Sequence, residues 1–265
     1  MTILCITGTG TDVGKTIATA AIAGLVRSCG REVVVVKPAQ TGFPGTGAVL
    51  GRGGDLDDVE RLTGVTDLHG FARYPEPMAP LAAARRAGMP TLRLDDAARR
   101  IRALDGPGRT VLVEGAGGLL VRLGADGGPE SGADGGAEYA ARAGERIGAA
   151  REWGLPDLAA ALPCAKTVVV TSLGLGSLNT AELTVEVARG RGMDVIGLIG
   201  GSLPVPGDGE EPDAIVATNL EDLPHLTGVP VLGCVPEGAG RLRREDFLAA
   251  APGWFTESGE TALVG

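Results

Sequence analysis

The chain has 265 residues and a formal net charge of −9, and 44% of it is hydrophobic. That length can bury one substantial core, and the acidic balance argues against broad electrostatic attraction to nucleic acid or to an anionic membrane surface. Cys5, Cys29, Cys164 and Cys234 are scattered without C-x-x-C spacing, mostly near apolar runs, and read as reduced structural thiols. The first apolar run, residues 3–6, has no basic patch before it and is too short for a signal peptide or a membrane span, so a cytoplasmic protein is expected.

A first strand is expected over residues 3–7, and it runs directly into GTGTDVGKT, residues 8–16. A glycine-rich turn between a strand and a helix, ending in Gly-Lys-Thr, is a phosphate-binding loop. Its backbone N–H groups point at the anion, Lys15 reaches the terminal phosphates and the Thr16 hydroxyl ligates a magnesium ion. The apolar run 17–26 supplies the helix whose N-terminus favours negative charge. The loop is a variant, because the first glycine of the strict pattern falls on Thr9, flanked by Gly8 and Gly10.

A second strand, 32–37, ends at Lys37 in KPAQTG, where Pro38 stops helix continuation and Gln40, Thr41 and Gly42 offer donors. A lysine there is either a solvated surface charge or, beside the phosphate loop in a parallel sheet, part of the site. Asp55 follows in the acidic cluster GGDLDD, and a third strand, 110–114, ends at Glu114 in VEGAGGLL. Each could be an exposed loop carboxylate. Yet Mg²⁺ prefers hard oxygen ligands and keeps several waters, so Thr16 with one or two carboxylates suffices, and Glu114 is the stronger candidate.

Residues 124–150 break the rhythm, being dominated by glycine, alanine and charged side chains. They read as a surface insertion with a weak helix over 137–151, and a lid over the site is the functional alternative. Further strands are expected over 167–171, 195–200 and 229–235, with a short loop at 207–212. Continuous Val/Ile/Leu runs alternating with helical stretches predict a three-layer α/β sandwich with a mainly parallel sheet, of the P-loop NTPase type, in a single domain over residues 1–265.

GTGTDVGKT, KPAQTG, the MAPLAAA segment around Pro80, VEGAGGLLV and LGLGSLNTAELT occur in this order, and together they resemble the dethiobiotin synthetase family of biotin biosynthesis. The resemblance covers nearly the whole chain apart from residues 124–162. It implies an ATP-dependent ring closure in which 7,8-diaminononanoate and CO₂ give a cyclic urea, with release of ADP and phosphate. An amine captures CO₂ as a carbamate, the carbamate attacks the γ-phosphate to form a carbamic-phosphoric anhydride, and the second amine closes the ring. Two anions must approach each other, which calls for cations and oriented N–H groups.

By the family pattern, Lys15 and Lys37 are the catalytic cations, and Thr16, Asp55 and Glu114 hold Mg²⁺. The nucleotide is bound by Asp12, Val13, Gly14, Lys15, Thr16 and Ile17, by Asp55, Glu114, Gly115, Ala116 and Gly117, and around the base by Gly201, Val235, Pro236 and Glu237. Thr41 contacts the carbamate or a substrate amine, and Gly117 and Gly118 let the diamine lie against backbone. The family's substrate site lies at a homodimer interface, where Leu178, Asn179 and Thr180 of one subunit reach the substrate carboxylate held by the other. Asn179, followed by Thr180 and Glu182, could equally cap the helix that follows.

At Gly201 many relatives carry an Asn that reads the base, so ATP preference is open and another nucleoside triphosphate could serve. Two rivals stand beside this reading. A partitioning or septum-positioning ATPase usually has a second lysine early in the loop, where this chain has only glycine and threonine. A cobyrinate-type amidotransferase would need a glutaminase domain, for which no length remains.

Overall fold

A computed structural model describes residues 2–42, 54–126, 150–207, 211 and 213–265. In chain order, its first half comprises β1 (Thr2–Gly8), α1 (Lys15–Ser28), β2 (Glu32–Thr41), α2 (Asp55–Thr63), β3 (Leu68–Tyr74), α3 (Pro80–Arg86), α4 (Leu94–Leu104) and β4 (Arg109–Glu114). There follow β5 (Arg122–Asp126), β6 (Arg151–Gly154), α5 (Leu155–Ala160), β7 (Lys166–Thr171), α6 (Ser177–Gly190) and β8 (Asp194–Leu203). The chain closes with α7 (Ala214–Thr227), β9 (Val231–Pro236), α8 (Arg244–Ala250) and α9 (Glu257–Val264).

Seven strands form one sheet in the order β3-β2-β4-β1-β7-β8-β9, and every neighbouring pair is parallel. The apolar runs are continuous because both faces are covered. Val35 and Leu112 enter one core with Ile22 and Phe247, under α1, α2, α8 and α9. Their chain neighbours Val36 and Val113 enter the other with Ile101, Leu158 and Val185, under α3 to α7. Each such side chain taken fully out of water contributes about 1.5–3 kcal/mol, and the alternation of faces forces the three layers. β1 lies between β4 and β7, where the chain changes from building one half of the sheet to building the other. Crevices form at the carboxyl ends of strands at such a switch point, and the loop after β1 opens into it.

Three strands are not among those expected from the sequence. β3 is an edge strand, half-exposed along most of its length, and its mixture of His69, Gly70 and Arg73 with apolar residues hides the alternation. β5 and β6 pair antiparallel across the ends of the expected insertion. Trp153 is buried there and donates its indole N–H to the Leu92 carbonyl at 3.0 Å, while the Asp126 carboxylate accepts from the Leu94 N–H at 2.9 Å and so caps α4. Residues 124–126 of the expected insertion are therefore strand, and Arg151 is strand instead of the end of a weak helix. The remainder of that expectation, residues 127–149, lies outside the described residues, as do 208–210 and 212 of the short loop.

All four cysteines are free thiols. Cys5 is buried in β1, where burial pushes its pKa up to about 12. Cys29 and Cys164 are exposed and Cys234 is half-buried. Among the described residues, no helix is long and apolar enough to cross a membrane.

Candidate active site

The loop from β1 to α1 shows how the variant glycine pattern works. A side chain at Gly8 would come within 2.7 Å of Val13 Cγ2 and 3.1 Å of Lys15 Cδ, so Gly8 gives the close approach that the strict motif assigns one position later. Thr9 is then free to anchor the loop. Its N–H donates to the Val170 carbonyl at 2.9 Å, and its hydroxyl reaches Thr171 Oγ1 at 3.4 Å, which ties the loop to β7. Asp12 is exposed with φ 59, a left-handed conformation that costs a non-glycine residue about 1 kcal/mol or more. Gly14 caps α1 without a side-chain hydrogen bond, so the helix N-terminus offers its N–H groups to an anion. Lys15 is buried, and its ammonium donates to the Gly10 carbonyl at 2.7 Å, spanning the loop. Burial lowers its pKa, Lys37 lowers it further, and Glu114, Asp55 and Asp12 partly offset both.

Lys37 is the centre of the site and no surface charge, being 3% exposed, and it lies inside β2 instead of at its expected end, because pairing with β3 carries the strand past Pro38 to Thr41. Its ammonium meets Asp55 Oδ2 at 2.5 Å, Glu114 Oε1 at 2.8 Å and the Gly115 carbonyl at 2.7 Å. Burial pushes its pKa down, but the two carboxylates outweigh that and hold it above the ordinary lysine value. For Asp55, burial pushes upward and Lys37 pulls the carboxyl down, with a net lowering. Glu114, 1% exposed at the end of β4, also accepts from the Thr16 hydroxyl at 2.9 Å on the same Oε1. Asp55 opens α2, so it belongs to a helix start and not to a free acidic loop.

The three residues expected to hold a metal thus converge. One ammonium touches both carboxylates, so a cation of similar reach fits between them, and the donors are the hard oxygens that Mg²⁺ takes. Gly115, Ala116, Gly117 and Gly118 continue from Glu114. The Gly115 N–H donates to the Ile6 carbonyl at 2.9 Å, Ala116 packs against the core, Gly117 lies near Thr11, and Gly118 lies against Gly10 and the carbonyls of Gly8 and Thr9. Thr41 ends β2, half-buried and paired with Tyr74.

Gly201 near the end of β8 presses on the phosphate loop, and any Cβ there would overlap the Val13 carbonyl oxygen. The following residues bend away, with Ser202 at φ 54 and the Glu237 N–H donating to the Leu203 carbonyl at 2.7 Å. Val235 is buried and Pro236 ends β9, while Ile17 packs against Gly240 just beyond. The residues expected around the base therefore border α1 on the side of β8 and β9.

Leu178, Asn179 and Thr180 lie in the first turn of α6, on the other side of the sheet. Gly176 caps that helix without a side-chain bond, so Asn179 is not its cap; Asn179 and Thr180 are exposed, and the Thr180 hydroxyl folds back onto the Ser177 carbonyl at 3.1 Å. Asn179, Leu183 and Val187 form one stripe at four-residue spacing. Below Asn179 this stripe lines an open apolar hollow of about 390 Å³ with Gly118, Leu120 and Val121. Sequence reading missed Asn219 of α7, a buried residue whose amide donates to the carbonyls of Leu173 and Gly174 at 2.8 and 3.0 Å and to Ser177 Oγ at 3.1 Å. It clamps the turn that launches α6. A lone Asn inside a helical pattern gives no signal of this.

Fold and site together define a P-loop nucleotide-binding protein whose phosphate loop faces two carboxylates and a second buried lysine. A family profile described as an AAA domain matches residues 2–127 and 152–240. The ATP-dependent dethiobiotin synthetase BioD of Corynebacterium kroppenstedtii is 47% identical over 255 residues, covering 96% of this chain and 94% of that protein. That of Corynebacterium efficiens is 48% identical over 257 residues, covering 97% and 99%. The chain belongs to the ATP-dependent dethiobiotin synthetase family. Among solved structures, the septum site-determining protein MinD of Pyrococcus horikoshii, complexed with Mg-ADP, covers 99% of this chain and 93% of its own at 18% identity and a TM-score of 0.51, a likeness of fold alone.

Proposed function

We propose that this chain is an ATP-dependent cyclo-ligase of biotin biosynthesis, closing the ureido ring of 7,8-diaminononanoate with CO₂ as a cytoplasmic homodimer. The reading is supported above all by Lys15, Thr16, Lys37, Asp55 and Glu114 meeting at the mouth of the phosphate loop. Lys15 and the N–H groups of the first turn of α1 bind the β- and γ-phosphates. Thr16, Asp55 and Glu114 would hold Mg²⁺, which neutralises charge on the triphosphate when bound. Lys37 and Thr41 orient the carbamate, whose oxygen attacks the γ-phosphorus while ADP leaves. The second amine then attacks the carbamoyl carbon and phosphate leaves with the C–O bond electrons. No covalent nucleophile is needed, since orientation alone can supply roughly 7–11 kcal/mol of the barrier. The hollow beneath Gly118 suits the apolar chain of the diamine, and Leu178, Asn179 and Thr180 of a second copy would bind its carboxylate.

Incubation with Mg²⁺, bicarbonate and 7,8-diaminononanoate, with ATP, CTP or GTP supplied separately, tests this by mass spectrometry and phosphate release. Dethiobiotin and phosphate should form in equal amounts with at least one triphosphate, which also settles the base preference. Hydrolysis that ignores the diamine and yields no dethiobiotin would sink the proposal.

A further inference from the structure

Lys37 spends all its donors inside the protein. An ammonium has three N–H bonds, and here they meet Asp55 Oδ2, Glu114 Oε1 and the Gly115 carbonyl, at 2.5, 2.8 and 2.7 Å. In this arrangement it has none left for a phosphate or a carbamate. Glu114 is buried and Asp55 largely so, and two carboxylates this close need a countercharge to remain together in a medium that solvates them poorly.

The geometry points to Lys37 as an internal stand-in for the divalent cation: its ammonium holds Asp55 and Glu114 in place and is displaced when the metal takes the same two oxygens. This rests on the reading of Thr16, Asp55 and Glu114 as the metal-holding set. Arrival of the metal with its triphosphate then does two things at once. It supplies the charge that Lys37 supplied, and it releases the ammonium to turn toward the anion beside it. Lys37 becomes available to the reacting groups only after the metal site is filled, so premature capture of a stray anion by a free buried lysine is avoided. Lys15 has no such lock, because its partner is the neutral carbonyl of Gly10.

The test is binding of Mn²⁺ alone, without nucleotide, followed by electron paramagnetic resonance on the full-length protein. Wild type should bind weakly. Lys37→Met should bind at least about tenfold more tightly, because a competing positive charge within 3 Å is gone, whereas Lys37→Arg should stay weak. Equal affinity in wild type and Lys37→Met would overturn the proposal, as would Lys37→Arg binding as tightly as Lys37→Met. Independently of any folding defect in the variants, reductive methylation of Lys37 in wild type, mapped by peptide mass, should rise when Mg²⁺ is added, and an unchanged rate would overturn it. Glu114→Gln tested with Mn²⁺ and a non-hydrolysable triphosphate probes the underlying site. If that variant binds as well as wild type, the metal assignment itself falls; if it binds poorly while Lys37→Met leaves Mn²⁺ affinity unchanged, only the stand-in role falls.

Discussion

Gly201 sits so close to Val13 that its missing side chain is a condition of the phosphate loop: a Cβ on Gly201 would occupy the place of the Val13 carbonyl oxygen. The contact joins the end of β8 to the middle of the loop after β1. What looked in the sequence like the loss of a base-reading amide is, in three dimensions, a packing requirement. Gly201→Ala should therefore cost about 1–3 kcal/mol of stability through overpacking and weaken triphosphate binding, and Gly201→Asn should do more of both without gaining selectivity for adenine. Thermal melts beside fluorescent-nucleotide titrations check this, and an intact loop affinity in Gly201→Ala would refute it.

Lys15→Ala removes the ammonium that spans the loop. We expect turnover to fall by at least about a hundredfold, as for loss of one pre-organised donor to charge in transfer, with the fold retained. A loss of less than about tenfold, roughly 1.4 kcal/mol of barrier, would exclude the phosphate role.

Asn219→Ala unfastens the turn from β7 to α6 by removing the amide that holds the Leu173 and Gly174 carbonyls. The KM for the diamine should rise several-fold while the KM for the triphosphate stays near that of wild type, because the phosphate loop is anchored separately through Thr9 and Val170. Equal effects on both substrates would mean that Asn219 supports the whole sheet and not the start of α6 in particular.

Deletions within the insertion should be sensitive to where they start. Removal of residues 127–149 leaves both strands of the β5–β6 pair, whereas a deletion beginning at Ala125 also takes the Ala125 N–H bond to the Leu92 carbonyl and the Asp126 cap of α4. The longer deletion should be less stable than the shorter by about 1–3 kcal/mol, measured by denaturant unfolding.

Cys5 gives a pH dependence of known sign. Burial raises its pKa from 9.0 to about 12 in the folded chain. Above pH 9 the unfolded chain loses a proton that the folded chain keeps, so the contribution is intact below pH 9 and falls as pH rises towards 12. Between those limits wild type should lose up to about 1.4 kcal/mol per pH unit more than Cys5→Ala. Denaturant unfolding of both at pH 8 and pH 10 measures the difference, and parallel curves would disprove the assignment.

The strands that the sequence made plain are those buried on both faces. Residues 3–6 and 111–113 lie in the middle of the sheet, so each of them is apolar and buried and the run is unmistakable. β3 lies at an edge, and β5 and β6 flank a stretch of glycine and alanine; their few apolar anchors, such as Trp153, carry no periodicity of their own. Among the site residues, Lys15 and Thr16 are legible because a local turn and a helix start fix them within nine residues of motif, 8–16. Lys37, Asp55 and Glu114 come from three separate segments, and what hinted that they meet was the end of an apolar run at Lys37 and at Glu114 together with the family resemblance; the helix start at Asp55 left no sign in its acidic cluster.

By itself the sequence determined the phosphate loop, the layered parallel sheet and the family, since backbone turn chemistry and apolar periodicity are local properties that a linear pattern can hold. The tertiary structure alone decided that Lys37 bridges Asp55 and Glu114, that Asn219 clamps the start of α6, and that Gly201 must lack a side chain. Each of these is a contact between segments distant along the chain, set by strand order and register, and such contacts leave no repeat in the sequence to read.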